Sequence, residues 1–103
     1  MEPIRSQYED DPDMMEIVLE FAAELPERAN EIERVLAAGD FDQLKTLAHQ
    51  LKGAGGGYGF PRITEVAGEL EHSLKDGVRG DPIKGHCAAL CAVLRAVVAG
   101  KGD

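Results

Sequence analysis

The stretch DPDMMEIVLEFAAELPERANEIERVLAAG, residues 11–39, decides the fold. Asp11-Pro12-Asp13 carries a helix start: an N-cap acid, proline at the first helical position and a further acid in the first turn. Met15, Val18, Ala22, Leu25, Ala29, Ile32 and Leu36 then recur at alternating spacings of three and four, the pattern of one apolar stripe on a helix. The stripe keeps its phase across Pro26. A turn between two helices would reset that phase, so the spacing predicts one long helix to about Ala38, kinked where proline removes a hydrogen bond.

Working outward, Gly39 offers a C-terminal stop, and Asp40 with Gln43 three residues later has the form of a capping box. The second helix then presents Phe41, Leu44, Leu47, Ala48 and Leu51 on its apolar face and runs into Gly53-Ala54-Gly55-Gly56-Gly57-Tyr58-Gly59, where its end is hard to place. Pro61 starts a third helix, with Ile63, Val66, Ala67, Leu70 and Leu74 on one side and Gly77 as terminator. Asp81-Pro82 repeats the opening signal. The fourth helix turns Ile83, Cys87, Leu90, Cys91, Leu94 and Val97 inward and stops near Gly100. No segment alternates with period two, so the expected fold is all-α: an antiparallel up-down-up-down four-helix bundle with a long, kinked, overhanging first helix. Residues 1–10 are expected as a short turn or a loose lead-in to this one domain, residues 1–103.

Composition agrees with a small soluble module. The chain has 103 residues, 44% hydrophobic and 29% charged, which suits one compact core and falls short of a two-domain enzyme. Its 11 Lys and Arg against 19 Asp and Glu leave a formal charge of −8, which disfavours nucleic acid and anionic membranes as partners. The longest apolar run, Cys87 to Leu94, is far below the roughly 18 residues of a spanning helix, and the acidic start has no apolar leader core. Cys87 and Cys91 lie one turn apart on the apolar stripe, as buried thiols in a reducing compartment would, so a cytoplasmic protein is expected.

Three histidines are the candidates for chemistry. His49 lies opposite the Leu44/Ala48/Leu51 face and should point to solvent, with Lys45 one turn before it and Lys52 nearly one turn after. His72 is expected in an acidic setting made by Glu69, Glu71 and Asp76, and His86 at the flank of the fourth helix. An exposed neutral imidazole is a nucleophile near physiological pH, and a neighbouring lysine neutralises the oxygens of a phosphoryl group it accepts. Gly53 and Gly56 leave the surface beside His49 bare for another protein's backbone, and Gly55 leaves room for a neighbouring helix. Glycine costs about 1 kcal/mol relative to alanine in a helix, so the four glycines from Gly53 to Gly57 call for an offsetting role.

Ala48-His49-Gln50-Leu51-Lys52-Gly53, followed by Gly59 and by Leu70-Glu71, closely resembles the signature of histidine phosphotransfer (HPt) domains. Glu24-Leu25-Pro26-Glu27-Arg28 and Ala38-Gly39-Asp40 also look like that family, and the resemblance runs from about residue 8 to residue 100. It implies a phosphorelay intermediate in which His49 takes a phosphoryl group from a receiver-domain aspartate and passes it to another receiver. By the same resemblance Lys52 stabilises the phosphate and Gly53 keeps the docking surface clear; Lys45 adds an electrostatic contribution argued from its place alone. Gln50, Gly56 and Leu44 complete the expected docking surface, with Phe41 and Leu47 beside them. The implied partners are response-regulator receivers and a hybrid sensor histidine kinase, the implied state a monomer. Mg²⁺ would come with the receiver, and no metal or nucleotide is required of this chain.

Other classes fit less well. In the dimeric core of histidine kinases an acid usually follows the histidine, whereas Gln50 does here. The glycine run matches neither G-x-G-x-x-G nor G-x-x-x-x-G-K-[ST], and no strand precedes it, which argues against ATP binding. A metal site from His86, Cys87 and Cys91 competes with simple burial of the thiols. The alternative from another class is a helical adaptor that binds a receiver or kinase without being phosphorylated.

Overall fold

The computed structural model describes residues 2–98. They form four helices, α1 (Pro12–Ala38), α2 (Phe41–Gly57), α3 (Pro61–Lys75) and α4 (Asp81–Ala96), and no strand among the described residues. The only β pairing among the described residues is an isolated bridge between Ile4 and Val97.

The signals of residues 11–39 act where the sequence puts them. Asp11 accepts the Asp13 N–H at the start of α1, and Gly39 ends it with φ 71°, returning its N–H to Leu36. Helix α1 is continuous through the exposed Pro26, and Val18, Ala22, Leu25, Ala29 and Ile32 are buried on both sides of it. Asp40 then caps α2 by accepting the Gln43 N–H at 3.1 Å.

The glycine run belongs to α2 as far as Gly57. A Cβ on Gly55 would lie 2.9 Å from Ile63 Cβ, Thr64 N and Thr64 Oγ1, so its bare backbone is what lets α3 press against α2. The buried Phe60 closes this corner, its N–H bonded to the Gly55 carbonyl at 2.7 Å. Stacked Phe21 and Tyr58 rings, 4.3 Å apart, cover it from the α1 side.

Two ends differ from expectation. Gly80, with φ 80°, is the N-cap of α4, and Asp81 lies in the first turn and not at the cap, because glycine makes the left-handed entry. Helix α4 stops at Ala96 and not near Gly100, which lies outside the described residues. The reason is tertiary: Ile4 N–H takes the Ala96 carbonyl at 2.8 Å and Val98 N–H takes the Ile4 carbonyl at 2.9 Å, pulling Val97 into extended backbone. Farther along the lead-in, Ser6 is buried, donating to the Tyr58 carbonyl at 2.7 Å, and residues 7–10 form a turn.

Candidate functional site

Helix α2 carries His49 on its outer face because Leu44, Leu47, Ala48 and Leu51 occupy the inner one. The imidazole side chain is 68% exposed, yet its Nδ1 is held 2.8 Å from Oε2 of Glu71, on α3. Glu71 is 3% exposed, and a carboxylate so buried requires partners. It has three: Lys52 Nζ lies 2.8 Å from Oε1, and Lys75 Nζ lies 3.4 Å from the Oε2 that faces His49. The Lys52 ammonium foremost, aided by the bonds from His49 and Lys75, outweighs burial and holds the Glu71 carboxyl down at about 2.

That ionisation decides the chemistry of the ring. An ionised carboxylate only accepts hydrogen bonds, so Nδ1 carries a proton and the ring, in its neutral form, keeps its lone pair on Nε2. Lys45, Thr46, His49, Gln50, Glu71 and Lys75 line one shallow cavity. Lysines from two helices therefore gather at this carboxylate and cavity, in a chain that is otherwise acidic.

The expected residues are only partly brought together. His49, Lys52 and Lys45 gather around this carboxylate and cavity, with Gln50 exposed at the rim. Gly53 is exposed with nothing within 4 Å of an added Cβ, and the exposed Gly56 faces only Thr64 Oγ1 at 3.4 Å. Leu44, expected on the docking surface, is instead 1% exposed: it packs on the core side of α2 and offers no contact to a partner. Phe41 is half-buried beneath the Arg79 guanidinium, which stands 4.6 Å from its ring centre.

Glu71 stands in the quoted signature and in the acidic setting of His72, but its role as the partner of His49 and Lys52 is what sequence reasoning missed. It sits four residues after Ala67 and three before Leu74, on the flank of the α3 apolar stripe, and an acid there signals a buried partner. His72 instead pairs with Asp76 at 3.2 Å on the exposed side. His86 is half-buried, 3.2 Å from Ser73 Oγ. Cys87 and Cys91 are buried free thiols, and no group of three or more His, Cys, Asp or Glu among the described residues is arranged to hold a metal ion.

The four helices thus present an exposed, carboxylate-oriented histidine with lysines beside it. The chain matches the family model of the Hpt domain over residues 16–100 and belongs to that family. Its members carry a phosphoryl group on histidine in two-component phosphorelays and interact with response-regulator receiver domains. No curated protein and no solved structure matches the chain. Among the described residues, no helix is long and apolar enough to cross a membrane.

Proposed function

We propose that His49 is the phosphoacceptor and that it reacts through Nε2. The observation that carries this reading is the bond from Nδ1 to the buried Glu71 carboxylate, which leaves the other ring nitrogen as the exposed nucleophile. In the step, the Nε2 lone pair forms the N–P bond while the acyl O–P bond of a receiver's aspartyl phosphate breaks, and the electron pair leaves on the aspartate carboxylate. The ring, still protonated at Nδ1, becomes an imidazolium whose positive charge the Glu71 carboxylate stabilises. Transfer to a second receiver reverses these bonds, and the retained Nδ1 proton makes the ring a good leaving group.

Lys52, with Lys45 as a weaker electrostatic contributor, balances the charge of the phosphoryl oxygens. Gly53, Gly56 and Gln50 form the clear surface on which the receiver docks. Beside them, Phe21, Arg28 and Ile32 of α1 and Leu47, Leu51 and Ala54 of α2 line a groove that Gln50 borders. In this reading the bundle is antiparallel with α1 bent at Pro26, and the protein works as a monomer in the cytoplasm. A hybrid sensor kinase stands upstream. Mg²⁺ comes with the receiver's acidic pocket, and the chain needs no cofactor of its own.

The test is transfer from a phosphorylated receiver to wild type and to His49→Gln. Acid-labile label on wild type alone is expected. A folded wild type that takes no label from several competent receivers would favour the unphosphorylated adaptor.

A further inference from the structure

Lys52 touches α3 along its whole length. Its backbone carbonyl accepts a hydrogen bond from Thr64 Oγ1 at 2.7 Å, and its ammonium reaches Glu71 Oε1 at 2.8 Å. Between these two ends lies Gly68: a Cβ added there would stand 3.3 Å from Lys52 Cδ and 3.8 Å from Lys52 Cγ. Thr64, Gly68, Glu71 and Lys75 recur at spacings of four, three and four, which makes them one stripe on α3. Gly68 is the member without a side chain, and the Lys52 stem runs through the lane it leaves.

Gly68 has no backbone reason to be glycine. It lies inside α3, its φ is not positive, and unlike Gly55 it has no backbone atom of another helix close to its Cβ direction. Glycine weakens a helix interior relative to alanine, so a packing or functional reason is called for. We infer that Gly68 is a positioning residue for Lys52: its bare surface lets the stem lie flat across α3, so that the ammonium stays at Glu71 beside His49. What the ammonium then does for the phosphoryl group rests on the relay reading; the lane itself does not.

Alanine at this position would crowd the stem by a few tenths of an ångström. Valine, with two γ carbons and a stiff χ1, would block the lane. The experiment follows the Lys52 ammonium by ¹⁵N NMR, assigned by its loss in Lys52→Arg, in wild type, Gly68→Ala and Gly68→Val, with circular dichroism as the check on folding. The paired ammonium is expected to be visible in wild type, shifted in Gly68→Ala and lost to solvent exchange in Gly68→Val. Phosphoryl transfer should slow by about tenfold in Gly68→Val, with no further slowing when that change is added to Lys52→Ala.

A Lys52 signal unmoved in Gly68→Val, or equal slowing in the Lys52→Ala background, would overturn the inference. If Gly68→Val does not fold, the Gly68→Ala signal decides: shifted supports the lane, unmoved refutes it. If wild type itself takes no phosphoryl group, the relay reading falls and the ammonium signal still judges the lane.

Discussion

Oε2 of the buried Glu71 lies 2.8 Å from Nδ1 of the exposed His49, although the two residues are 22 positions apart and belong to different helices. One carboxylate thereby orients the imidazole and, through its other oxygen, gathers Lys52 to the same place. The acid accepts the hydrogen bond from the ring's Nδ1 and holds the cation that, in the proposed step, faces the incoming phosphate.

Glu71→Gln keeps the shape of this carboxyl and removes its charge. An amide donates as readily as it accepts, so Nδ1 loses its reason to carry the proton. Phosphoryl transfer to His49 is expected to fall by about tenfold or more while circular dichroism stays unchanged. An unaltered rate in rapid-quench assays would contradict the orienting role.

Acid should undo the same network. The folded protein holds Glu71 at about 2, below its ordinary 4.5, mainly through the Lys52 ammonium. A carboxyl depressed on folding contributes stability that is complete above the unfolded value and is lost as pH falls through the folded one. Urea titrations of wild type and Glu71→Gln should therefore show an advantage for wild type at pH 6 that shrinks steadily between about pH 4.5 and pH 2. A constant difference across that range would remove Glu71 as its source.

Two glycines two residues apart in the same helix should respond oppositely to one methyl group. Gly53→Ala places its Cβ in open space, so the helix gains up to about 1 kcal/mol while receiver docking weakens, read as a raised KM. Gly55→Ala drives a methyl to 2.9 Å from Ile63 Cβ and the Thr64 backbone, and is expected to destabilise by about 1–3 kcal/mol in urea unfolding.

The thiols should be silent in the native protein. Burial foremost, with Cys91 nearby, pushes the Cys87 thiol up to about 11, and burial raises Cys91 as well. Cys91 also donates to the Ala29 carbonyl at 3.5 Å. Ellman's reagent at pH 8 is expected to label neither residue until urea unfolds the chain, because the thiolate is the reactive form. Fast labelling of native protein would count against this burial.

The helices were legible because their signals are local. Asp11, Gly39, Asp40, Pro61 and Gly77 each act within one turn, and the apolar stripes name the faces that become buried. The end of α4 was not legible, since what stops it is Ile4, more than ninety residues earlier in the chain. Leu44 was misassigned to the docking surface although its own period places it among the buried residues of α2.

At the site the division follows the same physical line. The sequence by itself determined that His49 faces solvent with Lys45 and Lys52 on its flanks, because the 3.6-residue period fixes neighbours on one helix. Only the tertiary structure decided which ring nitrogen is free and where the Lys52 ammonium rests. Glu71 and Gly68 belong to α3, and they reach α2 because Gly55 lets the two helices close to contact.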